Sequence, residues 1–307
     1  MRSYGALYKS RMRRLLQIGL AAVSIGFMAW IAARQWPQIS AQARSFDPLL
    51  FLPALAGLIA LFFMDAYGWH LILGALGQHP PLRASVRVWI LSSVTRYLPG
   101  GVWAYLSRAA LAREAGVDLA AAGMSLYLET LLVAASSLAV GLPALMAAAD
   151  IGFHPWLAAV FLVLLGFLMH PRLLRLSRRL PGRVGRAFSV VPLPSLPKLI
   201  RIYIFYVVFW VLMGGVFFLF ISSFHRLAPA QGVQAASALA LAFFIGFVVF
   251  FFPGGIGIRE ATLLLLLSPI LPPEVSVLAA VGSRLWIMLG EGLSLGLILL
   301  IGRGKRP

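Results

Sequence analysis

The chain has 307 residues, of which 61% are hydrophobic and only 11% charged, and its formal net charge is +17. Soluble domains run at roughly 45–50% and 25%, and no single core would absorb repeated apolar runs of about 18 or more residues, the length that crosses a bilayer. A water-soluble fold is therefore excluded, and the absence of cysteine removes disulfides, thiolate catalysis and Cys-ligated zinc.

At the N-terminus, basic Arg11, Arg13 and Arg14 precede the apolar stretch Leu15–Ala33, and Ala41-Gln42-Ala43 resembles a signal cleavage site. The stretch is longer than a signal core and the small residues lie well beyond it, which predicts an uncleaved first span. A second span is predicted at Pro48–Leu73, with Asp65 and His70 near its far end. A polar, Arg-bearing region then runs from Gly74 to Asp118, interrupted at Leu98-Pro99-Gly100-Gly101. The third span, Leu119–Ala149, carries one charge, Glu129, and the fourth is Ile151–Met169. A basic loop, Pro171–Arg201, leads into a fifth span at Ile202–Phe224. Ala235–Phe252 is broken by Pro253-Gly254-Gly255 and followed by a short apolar arm, Ala261–Leu271. The last span, Val275–Ile301, contains Arg284 and Glu291.

All but five of the 26 Lys and Arg fall in four clusters at the ends of apolar runs: Arg2–Arg14, Arg83–Arg113, Arg172–Arg201 and Arg303–Arg306. Such clusters mark cytoplasmic loops, because Lys and Arg beside a span resist translocation. Membrane orientation thus accounts for the positive charge, and no nucleic-acid partner is expected. The clusters are expected to place both termini and the loop at 171–201 in the cytoplasm of a multi-pass membrane protein.

Pro99 and Pro253 are 154 residues apart, and the same offset carries Leu119, the start of one long span, onto Pro273, the start of the last. The sequence thus reads as two halves, 1–150 and 151–307, within a single membrane domain. Each half has two spans, a broken segment and one more span. Three spans per half is odd, so the halves come out inverted, as in many secondary transporters. The expected fold is an all-α integral membrane protein with about six transmembrane helices and two re-entrant or broken segments.

The candidate site follows from the breaks. Pro removes a backbone donor and Gly permits turns forbidden to other residues. Freed backbone groups survive at membrane depth only inside protein or along a polar cavity. Pro99, Gly100 and Gly101, and Pro253, Gly254 and Gly255, read either as helix breaks lining a cavity or as tight turns. Arg259 and Glu260 directly follow the second break, either as site residues or as a mutual pair capping a hairpin. Ionised side chains at this depth are expensive and mark sites, and the planar fork of Arg suits phosphate. Arg284 and Glu291 share one face of the last span. Glu129 is predicted near Arg284, where a pair would neutralise both. Arg96, with Ser92, Ser93, Tyr97, Trp103 and Tyr105 around it, forms either a headgroup-binding edge or an interfacial anchor. Asp65 and His70 read as a proton relay or as the polar end of a span. His79, His154 and His225 have no partner at metal spacing, and no HExxH, Walker or Rossmann pattern occurs, so no metal, cofactor or nucleotide chemistry is expected.

At these motifs the chain resembles the flippase-like family that includes the transmembrane region of lysylphosphatidylglycerol synthases. The resembling stretches are Arg96-Tyr97-Leu98-Pro99-Gly100 with Arg108, Gly116 and Glu129, and Phe252-Pro253-Gly254-Gly255-Ile256-Gly257-Ile258-Arg259-Glu260 with Arg284 and Glu291. In larger members this region is fused to a cytoplasmic aminoacyl-transferring domain, and the membrane part is linked to moving the modified lipid between leaflets. The chain reaches Pro307 soon after its last span, so no synthase domain is expected in it. The resemblance implies lipid handling. The expected function is a flippase or transporter for an anionic phospholipid or polyprenyl-phosphate type of lipid, with Arg96, Arg259 and Arg284 binding phosphate. Glu129, Glu260 and Glu291 would tune those arginines or contact a cationic headgroup. The alternatives are a membrane enzyme acting on lipid-linked substrates, with Glu129 or Glu260 as general base, and an accessory subunit partnering a lipid-modifying enzyme.

Overall fold

The computed structural model describes residues 46–97, 102–148, 191–248 and 258–303. The expected spans Leu15–Ala33 and Ile151–Met169, most of the basic loop, and the helix-break residues Pro99, Gly100, Gly101, Pro253, Gly254 and Gly255 lie outside the described residues. Every regular element within them is helical. In chain order these are α1 (Pro48–Ala75), α2 (Leu82–Ser93), a 3-10 turn (Val94–Tyr97), α3 (Trp103–Glu114), α4 (Leu119–Ala148), α5 (Leu196–Ser222), α6 (Pro229–Val248), α7 (Ile258–Leu267) and α8 (Pro273–Arg303).

Local chemistry sets the helix ends. Asp47 caps α1 by accepting the Leu49 amide at 2.9 Å, and Pro48 opens the helix where its missing N–H costs nothing. Gly77 and Gly116 hold positive φ, 75° and 84°, in the turns that end α1 and α3. Buried serines such as Ser125, Ser136 and Ser294 return their hydroxyls to carbonyls of their own helices, so they need no partner from lipid.

Five of these helices, α1, α4, α5, α6 and α8, are long and apolar enough to cross a membrane. At 28 residues, α1 is about 42 Å long at 1.5 Å per residue, more than the roughly 30 Å of hydrocarbon. The 12 residues of α2 and of α3 reach only about 18 Å each. The expected second, third, fifth and last spans thus appear as α1, α4, α5 and α8. The segment after the fifth span differs: it starts earlier, at Pro229, and α6 alone is span-length.

The helices α1 and α5 form the central pair, with Trp69, Ile72, Tyr206 and Phe217 fully buried in the shared core. Neighbour relations come in matching sets. As α1 packs on α2, α2 on α3 and α3 on α4, so α5 packs on α6, α6 on α7 and α7 on α8; α4 lies against α5 as α8 lies against α1. The α4–α6 crossing is especially close. A Cβ on Gly141 would stand 2.8 Å from the Leu241 amide nitrogen, so only glycine lets these backbones approach.

Candidate functional site

A cavity of about 320 Å³ opens where the 3-10 turn, α3 and α7 meet the long helices. Its wall is largely aromatic and aliphatic, including Phe62, Phe209, Trp210, Met213, Phe243 and Ile287. Into this apolar wall project Asp65 from α1, Arg96 from the 3-10 turn, Arg108 from α3, Glu129 from α4, Arg259 from α7 and Arg284 from α8. Glu260 and Glu291 stand immediately behind, each paired to one of these arginines. The structure therefore brings all six charged candidates from the sequence, Arg96, Glu129, Arg259, Glu260, Arg284 and Glu291, to one place.

Among the described residues, three ion pairs organise the cluster. Arg108 pairs with Glu129, both nearly buried, through Nη1 and Oε2. The same arginine donates from Nε to Ser92 Oγ at 2.9 Å, while Trp89 Nε1 donates to the other Glu129 oxygen at 2.8 Å. The Arg108 guanidinium also lies 5.0 Å from the Trp89 ring centroid and 5.8 Å from that of Trp69, within cation–π range. Arg284 Nη1 donates to Glu260 Oε1 at 2.6 Å. Arg96 Nη1 lies 3.1 Å from Glu291 Oε1, and its Nε donates to the Ser93 carbonyl at 3.0 Å.

This geometry corrects two readings. Glu129 pairs with Arg108, not Arg284, because α3 packs against α4 and carries Arg108 into the cavity. Arg284 instead meets Glu260, because α7 packs against α8. Nor are all the arginines at 83–113 loop charges. Arg83, Arg87 and Arg113 are exposed, but Arg108 is 6% exposed and neutralised inside the protein. The residues sequence reasoning undervalued are Arg108, Asp65 and Trp89. Arg108 was masked by its basic neighbours, and the signal that separates it is its pairing to a lone intramembrane glutamate.

The two remaining charges are not paired in this way. Arg259 lies with its guanidinium carbon 3.4 Å from the Phe243 ring centroid, and its buried Nη2 has no hydrogen-bond partner. It makes no ion pair among the described residues. Gly246 on α6 makes room for it: a Cβ there would sit 3.2 Å from the Arg259 Cβ. Asp65 Oδ1 is likewise buried without a partner. His70 turns away from this cluster, joining Nδ1 to Ser85 Oγ at 2.9 Å and stacking on Tyr67. The proposed Asp65–His70 relay is therefore not assembled here.

Span-length apolar helices around a charged internal cavity define a multi-pass membrane protein with a charged chamber between its helices. The chain belongs to the family of the lysylphosphatidylglycerol synthase TM region, whose model matches residues 15–290. No curated protein and no solved structure matches it. Family and fold together make it a membrane protein related to lipid metabolism or transport.

Proposed function

We propose that the protein moves an anionic or phosphate-bearing lipid between the leaflets of the bacterial plasma membrane, by binding its headgroup in this cavity. One observation carries the reading: Arg259 presents a buried, unpartnered guanidinium nitrogen in a chamber of about 320 Å³. An unpaired arginine at such depth is costly unless it serves a ligand, and its fork matches phosphate oxygens. The volume suits a headgroup, with acyl chains left in the surrounding lipid. The general-base alternative is disfavoured, because Glu129 already accepts from Arg108 and Trp89, and Glu260 from Arg284.

The reading is tested by following fluorescent phosphatidylglycerol and a polyprenyl phosphate in proteoliposomes. Protein should accelerate transbilayer exchange of at least one of them. Exchange equal to empty liposomes for both would remove the transport reading.

The alternating-access form of this proposal needs two inverted halves with both termini cytoplasmic. The matching neighbour relations of α1–α4 and α5–α8 support it. So does the recurrence of an ion pair between a short helix and the long helix after it, Arg108–Glu129 and Glu260–Arg284. Single cysteines at Val102 and Ile256, in a chain that has none, should label from opposite sides of sealed vesicles. Labelling from one side would rule out the inversion.

A further inference from the structure

Among the described residues, four arginines and four carboxylates form the charged cluster, and three pairs consume Arg96, Arg108 and Arg284 with Glu291, Glu129 and Glu260. What remains is Arg259 and Asp65, both on the cavity wall and both with a buried polar atom lacking a hydrogen bond. We infer that Asp65 is the site of a proton that accompanies the anionic headgroup, so that lipid and proton bind together. The inference rests on the function proposed above.

The argument is one of charge balance. With Asp65 ionised, the eight groups sum to zero, and a phosphodiester entering the cavity would leave a net negative charge in a low-dielectric chamber. With Asp65 protonated the cluster carries one positive charge, located on Arg259, and a singly charged phosphodiester neutralises it. Binding the anion therefore favours the protonated form, and protonation favours the anion by the same factor, because coupling between two ligands is reciprocal. The step is a protonation alone: an O–H bond forms on the Asp65 carboxylate with a proton drawn from water.

The surroundings allow no internal substitute for that proton. The charged groups that bear on Asp65 are Glu129 from α4, Arg108 from α3, Arg96 from the 3-10 turn and Glu291 from α8. Each already stands in an ion pair. Helix α5 contributes the buried hydroxyl of Tyr206, which also lacks a partner, and α2 contributes the Trp89 indole to the same cavity wall. On its own helix His70 is engaged by Ser85. The arginines that bear on Asp65, Arg108 and Arg96, are each held by a glutamate of their own, and among the described residues none pairs with Asp65.

The test uses the full chain in proteoliposomes with fluorescent phosphatidylglycerol, read across a range of pH. Wild-type exchange should fall on the alkaline side by about tenfold per pH unit, the slope of a single linked proton. A pH gradient should drive the lipid to accumulate in one leaflet. In Asp65→Asn, which cannot ionise, whatever exchange remains should no longer vary with pH, and in Asp65→Glu the dependence should persist. Independently, short-chain phosphatidylglycerol added to wild type in weakly buffered detergent on the alkaline limb should draw about one proton per lipid bound, and none in Asp65→Asn.

Exchange that is flat with pH in the wild type overturns the proton and leaves the transport proposal standing. So does an unaltered pH profile in Asp65→Asn. Exchange confined to amine-bearing zwitterionic lipids, lost in Asp65→Asn, also overturns it, since Asp65 would then hold an ammonium. No exchange of any lipid at any pH overturns the transport proposal itself.

Discussion

Arg259→Ala should slow phosphatidylglycerol exchange about 10–100-fold while leaving the melting temperature unchanged or higher. Hydrogen bonds to charged groups contribute about 1.5–3 kcal/mol, and each 1.4 kcal/mol is roughly tenfold. The stability half of the expectation has the opposite sign to that for an ordinary buried arginine. Arg259 makes no ion pair among the described residues, and its Nη2 is buried without a partner. Truncation therefore removes a desolvated charge together with one contact to Phe243. Arg259→Lys should fall between, because a point charge replaces the fork. The measurements are exchange rates in proteoliposomes and thermal unfolding of the same preparations in detergent. A large loss of stability with unchanged exchange would make Arg259 a structural residue and defeat the headgroup assignment.

Glu129→Ala should behave in the reverse manner, with a loss of stability of about 3–5 kcal/mol, the usual cost of stripping one partner from a buried pair. Arg108 would be left nearly buried opposite an empty site, and Trp89 Nε1 would lose its acceptor. The double variant Arg108→Gln/Glu129→Ala should recover a good part of the loss, because it removes the uncompensated charge as well. Thermal melts of the two single variants and the double variant close the cycle. Additive losses would mean that the pair is not coupled, contrary to the geometry. The contrast with Arg259 would separate the residues that hold the chamber together from the one proposed to meet the headgroup.

Much of the fold was legible because hydropathy and length decide it. Pro48–Leu73, Leu119–Ala149 and Val275–Ile301 read as spans, and the corresponding helices α1, α4 and α8 end within two residues of those limits. The cluster was also legible, since Glu129, Arg259, Glu260, Arg284 and Glu291 are ionisable residues within or beside apolar runs, where a charge is costly. The pairing was not. Which acid meets which base depends on the neighbours of each short helix, and an offset between halves places residues only to within a helical turn. Arg108 illustrates the difficulty. Its sequence surroundings are those of a basic loop, and only the packing of α3 on α4 shows that it points inward.

Gly246 and Phe243, three residues apart on α6, together fix where Arg259 sits. One lets its Cβ come close and the other supports its guanidinium face. The arginine is thus located by shape and not by a counterion. A carboxylate in the same role would have steadied the side chain while cancelling the field it projects into the chamber. Steric confinement separates the two effects, so the cation is held in place while its unpartnered Nη2 keeps an attraction for whatever enters.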